Sequence, residues 1–436
     1  MRCSTLALLA ALLPAAAPAQ DAPDPARLKA DVEKLVSFGT RHTLSSPDDP
    51  RRGIGAARRW FADEMKRTSA RCGGCLQVST IERVFTGDRA PKGVNVVDVL
   101  AVQPGSDPNR VVIVQGHIDS RVTDVMNASS DAPGANDDAS GVALVLEAAR
   151  LLSARKFKAT IVYAALSGEE QGLFGGQLLA DTARERGWNV AAVLNNDIVG
   201  NTVGQNGVRV ADRVRVFSEG IRSSEDLPAQ MMRRANGGED DGPSRALAKA
   251  IEEVAKGIPG GLDVFAVRRN DRFGRGGDHE PFLKLGYPAV RFSVGIENYN
   301  QQHQDLRTEG GIHYGDTVDK MDFPYLAKVT AINAATISRL AAAPAAPEQV
   351  GLNGALGTNT TVTWTPVADA AGYRIHWRRN DKQDWTDHRD VPGSAGETVL
   401  QDVIVDDVFV GVSALSADGA ESIVTFGGRA PRRAAR

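Results

Sequence analysis

Four short apolar runs constrain what this chain can fold into: VVIV (111–114), TIVYAAL (160–166), VAAVLNN (190–196) and PAVRFSV (288–294). They are rich in β-branched residues and bounded by turn signals, the pattern of strands covered on both faces. Stretches with helical spacing lie between them, SGVALVLEAARLLSA after the first and GLFGGQLLADTARERG after the second, and ALAKAIEEVAKG, LDVFAVR and EPFLKLG continue the alternation. Upstream, ARLKADVEKLVSF and GIGAARRWFADEMKRT read as helices, and LQVSTIERVF and GVNVVDVLAVQ as strands. The expected fold is α/β, a mixed and mostly parallel sheet sandwiched by helices. Functional groups in such a sheet gather outside the carboxyl ends of its strands.

Those ends carry a consistent chemistry. VVIVQG runs into His117 and Asp119, which share one side of an extended chain and converge on one spot. PGANDDASG places Asp137 and Asp138 at the opening of the long helix, where each, like Ser140, could equally serve as a cap. GEEQGLFGG follows TIVYAALS with Glu169 and Glu170, a pair that taken alone fits a solvated turn; Asp197 follows VAAVLNN; His303 follows AVRFSVGIENYNQQ. Imidazole and carboxylate ligands together suit zinc, with cobalt or manganese as substitutes. Five separate strand ends bearing such groups outweigh the bland reading of each one.

The order HxD, GAxDDxSG, EE before GLxG, an Asp after a strand and a late His resembles the secreted co-catalytic zinc aminopeptidases, a family that also contains glutamate carboxypeptidases and glutaminyl cyclases. The similarity spans roughly residues 30 to 340 and implies the zinc exopeptidase fold with two zinc ions per chain. Carried over residue by residue, Asp137 would bridge the ions, His117 and Asp197 would complete one shell, and Glu170 and His303 the other. Glu169 would be the general base and Asp119 would orient the His117 ring. His313, in IHYGDT, competes with His303 for the last position. Asp278 and His279, in GGDHEPFLKLG, are expected to face substrate; Arg272 and Arg275 in RFGRGG could meet a substrate carboxylate, but a solvated loop is the commoner use of such a segment and they are left outside the site.

Composition narrows the function. The 436 residues hold 51 Lys and Arg against 54 Asp and Glu, a net charge of -3, so no basic footprint for nucleic acid exists. No apolar segment is long enough to span a bilayer. The opening MRCSTLALLAALLPAAAPAQ reads as a signal peptide over residues 1–19, implying an exported protein, periplasmic or extracellular. In that compartment Cys72 and Cys75, in RCGGC, are expected to form a small disulfide loop.

The expected domains are the metallopeptidase at 25–340, an Ala/Pro-rich linker at 341–348, a small β-sandwich at 349–428 and a basic tail at 429–436. The sandwich resembles fibronectin type III in its Trp364 and Tyr373, and attachment to a surface is one use it implies. The expected substrate is a peptide, cut by an aminopeptidase. Carboxypeptidase-type cleavage of acidic dipeptides, which needs positive side chains at the pocket, and a non-catalytic surface-binding protein are the alternatives. A glutaminyl cyclase fits less well, because those relatives use one zinc and this chain keeps the full set including His117.

Overall fold

The protein is described here from a computed structural model covering residues 22–429. The expected signal peptide and the tail beyond Arg429 lie outside the described residues. Two helices lead: α1 (Pro25–Val36), capped by the Asp24 carboxylate on the Ala26 N–H, and α2 (Ile54–Arg71). An antiparallel hairpin, β1 (Gln77–Gly87) and β2 (Ala90–Gln103), follows. Then come β3 (Asp107–His117), α3 (Ala139–Leu152), β4 (Ala159–Leu166), α4 (Phe174–Glu185) and β5 (Asn189–Asn196). The next stretch holds β6 (Arg213–Phe217), α5 (Leu227–Asn236), α6 (Pro243–Lys256), β7 (Asp263–Val267), α7 (Glu280–Lys284) and β8 (Ala289–Val294).

These strands form one eight-stranded sheet in the order β1-β2-β4-β3-β5-β8-β6-β7. Its centre, β4-β3-β5-β8, is parallel, while β1, β2 and the β6-β8 pairing are antiparallel. Val111 to Val114 are all fully buried, and so are Ile161 to Leu166. Alternate residues serve opposite faces: Val112, Val114, Ile161 and Tyr163 join the core under α1, α2 and α3, while Val111, Ile113, Val162 and Ala164 join the core under α4 and α7. Burial on both faces is why these runs show no polar alternation.

Five α-helices and β-strands up to α8 go beyond the expectations, α5 among them. β6 is a short strand, β9 (Arg307–Glu309) and β10 (Ile312–Tyr314) form an exposed hairpin, and α8 (Phe323–Ala342) is the longest helix described. Helix α8 also corrects the expected linker. Leu326, Val329, Ile332, Ile337 and Leu340 bury α8 in the core, and the Ala/Pro stretch continues that packing. Ala343 is fully buried, its carbonyl accepts from Arg110, and the Ala341 carbonyl accepts the Lys158 N–H at 3.0 Å. Small residues there permit close approach to the sheet rather than loose chain.

The C-terminal strands are β11 (Glu348–Asn353), β12 (Thr360–Thr365), β13 (Gly372–Arg379), β14 (Asp387–Pro392), β15 (Glu397–Leu400), β16 (Val408–Leu415), β17 (Thr425–Phe426) and β18 (Gly428–Arg429). They make two four-stranded sheets, β15-β12-β11-β18 and β14-β13-β16-β17, with a shared core of Val362, Trp364, Tyr373, Ile375, Val410 and Val412. This unit is fastened to the first. Arg378 places two nitrogens on Asp241 at 3.2 and 2.7 Å, Lys249 reaches the same carboxylate at 2.7 Å, and Arg378 and Asp241 are both almost wholly buried.

Candidate active site

The carboxyl ends of β3, β4 and β5 deliver His117, the Glu169–Glu170 turn and Asp197 to one edge of the sheet, and α3 begins beside them. Helix and strand approach closely there. A Cβ on Gly141 would lie 2.2 Å from the Asn196 carbonyl oxygen, and one on Gly116 would lie 2.7 Å from Gly141, so both positions need glycine. Asp138 fills the capping role that the sequence left open. Its carboxylate accepts the Gly141 N–H at 2.9 Å and the His117 N–H at 3.1 Å, tying helix to strand.

Asp137 stands between two imidazoles, with Oδ1 at 3.1 Å from His117 Nε2 and Oδ2 at 2.8 Å from His303 Nε2. His117 also faces Asp197 at 3.8 Å, and His303 faces Glu170 at 3.0 Å. Two triads result, His117–Asp137–Asp197 and Asp137–Glu170–His303, each with ligand atoms within 4.8 Å of one another, and Asp137 is common to both. The donor set suits zinc. His117 Nε2 and Glu170 Oε1 are buried without a hydrogen-bond partner, as atoms aimed at a cation would be.

Electrostatics express the same crowding. Burial alone would lower the His117 pKa, but the adjacent carboxylates of Asp119, Asp137 and Asp197 hold it well above the usual range. Burial also works against the His303 cation, yet the charges of Glu170 and Asp137 push its pKa up to about 10. The Glu169 carboxyl is raised well above its ordinary value by burial and by repulsion from Glu170 and Asp197, which outweigh the attraction of His117. Glu169 lines the cleft but belongs to neither triad.

Asp119 sits behind His117, though by a different contact from the one expected. The His117 Nδ1 lies 3.1 Å from the Asp119 backbone carbonyl and 3.6 Å from its carboxylate. The carboxylate instead accepts Thr43 Oγ at 2.8 Å and the Glu170 N–H at 3.1 Å, so it also pins the Glu169–Glu170 turn. His313 lies on the exposed β9-β10 hairpin against Thr308, away from both triads. Cys72 and Cys75 form a disulfide at the end of α2.

Asp278 and His279 do not face the cleft. Both are buried, Asp278 accepting the Gly176 N–H at 3.1 Å and His279 Nε2 lying 2.7 Å from the Asn270 carbonyl oxygen. They brace the loop rather than present it, because the chain turns inward at Gly277 to start α7. The cleft, about 920 Å³, is lined instead by the preceding segment, Arg269 to Gly276, so Arg272 and Arg275 belong to its wall and are not a solvated loop.

Three further residues escaped sequence reasoning. Asp316 accepts the N–H groups of Asn136 and Asp137 at 2.9 and 2.7 Å, fixing the Asp137 loop. Arg41, fully buried, donates to the carbonyls of Ile118, Pro133 and Gly134. Arg291, fully buried, donates to Asp197 at 2.7 Å. Backbone outliers offer another signal visible only in three dimensions: Leu173, Ile198 and His303 have φ near +60° around the site, and Ile198 is β-branched.

Comparison with known proteins gives a consistent result. The model for Peptidase family M28 matches residues 98–337. A "Probable zinc metalloprotease" of Pyrenophora teres f. teres is 43% identical over 406 residues, covering 92% of this chain and 84% of the relative. A protein of the same description from Leptosphaeria maculans is 43% identical over 404 residues, covering 92% and 93%. Among solved structures, the LapA aminopeptidase of Legionella pneumophila superposes with a TM-score of 0.52 at 20% identity, covering 73% of this chain and 71% of that one. Porphyromonas gingivalis glutaminyl cyclase gives 0.51 at 18% identity, covering 73% and 98%. These structures share the fold of the large unit. With the family model covering every residue of the two triads, and with relatives similar over nine-tenths of its length, the chain belongs to peptidase family M28 and is a zinc metallopeptidase.

Proposed function

We propose that this metallopeptidase is a two-zinc exopeptidase, acting as an aminopeptidase on peptides outside the cytoplasm. The observation that carries the reading is Asp137, whose two oxygens are divided between two triads that share nothing else. His117 and Asp197 would complete one zinc shell, Glu170 and His303 the other. Zinc held there would supply Lewis-acid activation of water and of the scissile carbonyl.

The remaining steps fall to the protein's own groups. Glu169 stands at the cleft outside both triads, free to take a proton from the attacking water and return it to the departing amine. Asp119 and Arg291 hold the turn and the carboxylate that must not move while it does so. Asp138 fixes the start of α3 against His117.

Carboxypeptidase-type action is the second reading, favoured by the arginines on the cleft wall. Export is supported by the signal-like residues 1–19 and the Cys72–Cys75 disulfide. The C-terminal unit is proposed to be fibronectin type III-like, on its two sheets and on Tyr373, whose hydroxyl accepts the Val367 N–H at 2.6 Å.

The test is a zinc-loaded preparation assayed on single-residue anilides and on N-blocked dipeptides, with a chelator control and metal analysis. Two zinc ions per chain and chelator-sensitive anilide hydrolysis are expected. One ion per chain would overturn the two-zinc reading, and cleavage of the blocked dipeptides alone would overturn the aminopeptidase reading.

A further inference from the structure

The cleft in front of the two triads has a charge that the chemistry of peptide hydrolysis does not require. Apart from the triad carboxylates and Glu169, five arginines line it, Arg89, Arg121, Arg269, Arg272 and Arg275, against the acids Asp88 and Glu280. Arg89, on the β1-β2 turn, donates to the Glu170 carbonyl at 2.8 Å, and Arg269, on the opposite wall, packs over Phe273 at 5.3 Å. Both are exposed, and neither makes an ion pair among the described residues. Arg272 and Arg275 share one carboxylate, Glu297, at 3.5 and 2.7 Å, and Arg215 holds the same group at 2.7 Å. Arg272 also meets Asp271 at 3.0 Å, so the unpaired positive charge of the cleft sits chiefly on Arg89 and Arg269.

The wall that carries them is braced from below. The fully buried Arg291 directs one nitrogen to both oxygens of Asp271, at 3.2 and 3.1 Å, and to the Gly276 carbonyl at 2.8 Å. Its other nitrogen meets Asp197 of the first triad at 2.7 Å. Both ends of the Asp271–Gly276 loop are therefore set relative to the reacting centre before any ligand arrives. On the other side of the cleft, Arg121 reaches Glu170 at 2.8 Å, so the charge extends up to the second triad. Forked donors fixed in advance around a cleft match a planar carboxylate and lose little freedom in binding it.

We propose that this cleft is a carboxylate-binding subsite, with Arg89, Arg121, Arg269, Arg272 and Arg275 selecting peptides that place a negative charge beside the scissile bond. The group is either the C-terminal carboxylate of a short peptide or an acidic side chain next to the cleaved bond. The proposal rests on the exopeptidase reading for its link to turnover, but the binding preference can be measured without it.

Four peptides separate the cases: trialanine, trialanine amide, Ala-Glu-Ala amide and Ala-Gln-Ala amide. Each is assayed with the zinc-loaded enzyme and titrated by calorimetry into zinc-loaded Glu169→Gln. One charge-assisted contact gives a preference of about tenfold for the carboxylate-bearing member of a pair, shrinking as salt is added. Trialanine over its amide identifies the C-terminal group, and Glu over Gln identifies the side chain. In Arg89→Ala/Arg269→Ala the preferred ratio is expected to fall towards one, while Arg379→Ala, on the far unit, keeps it. Equal affinity for both members of both pairs overturns the subsite, and so does a preference that the double variant leaves intact. A calorimetric preference without any turnover by the native enzyme would leave the subsite standing and overturn the exopeptidase reading instead.

Discussion

Arg291 and Asp197 meet at 2.7 Å with the arginine fully buried and the aspartate nearly so. Burial would strip the guanidinium of its charge, yet Asp197 and Asp271 outweigh that and raise its pKa. Arg291→Met should therefore leave the buried Asp197 without its guanidinium and Asp271 with Arg272 alone, at a cost of about 3–5 kcal/mol. Denaturant midpoints of the metal-free protein measure this directly; a loss below about 1 kcal/mol would mean that the pair is dispensable to the fold.

Glu169 is the only acidic residue of the EE turn outside the triads, and its replacement by Gln is nearly isosteric. Glu169→Gln is expected to retain the full zinc complement and to lose roughly a hundredfold to ten-thousandfold in kcat. Metal analysis and kinetics on one preparation decide the matter, since loss of zinc would reassign the residue as a ligand.

His303 and His313 are separable by metal content. His303→Ala removes one arm of the second triad and should lower bound zinc by about one ion per chain under dialysis. His313→Ala, on the exposed hairpin, should bind as the parent does. The reverse pattern would require the hairpin to fold over the site.

The C-terminal unit carries an acid-sensitive contact. Burial works to raise the Glu421 pKa, but hydrogen bonds from His376 and Ser413 and the charge of Arg339 bring it down to about 2, from an ordinary 4.5. The folded state thus holds this proton more weakly than the unfolded chain does. Its stabilisation, on the order of 3 kcal/mol, is complete above about pH 4.5 and lost as pH falls through about 2. In Glu421→Gln, urea midpoints should start lower and vary less across that window. An unchanged slope would assign the acid sensitivity to other groups.

The residues of the two triads were readable because a parallel strand buried on both faces is a continuous apolar run, so whatever polar residue ends it is conspicuous. His117, Glu170 and Asp197 stand out for that reason. Asp316 did not, because its use depends on chain folding back from 180 residues away onto the Asn136 N–H. Asp278 and His279 misled for a related reason: a polar pair before a helix looks alike whether the turn points to solvent or inward. The arginine wall was visible as residues but not as a surface, since a loop has no period from which to infer its direction. Helix α8 went unread, and its Ala/Pro continuation resembled a linker by composition while packing as core.

The Arg378–Asp241 pair bears on how such a chain could be shortened or recombined. A peptidase ending near residue 344 would keep Asp241 and Lys249 but lose the guanidinium that reaches into their pocket, and the Arg339 that now meets Glu421 at 3.4 Å would face water. Any replacement module would have to bring its own buried cation to the same place. The two units are thus a matched pair rather than interchangeable parts, and an active fragment would need compensating changes on the surface left behind.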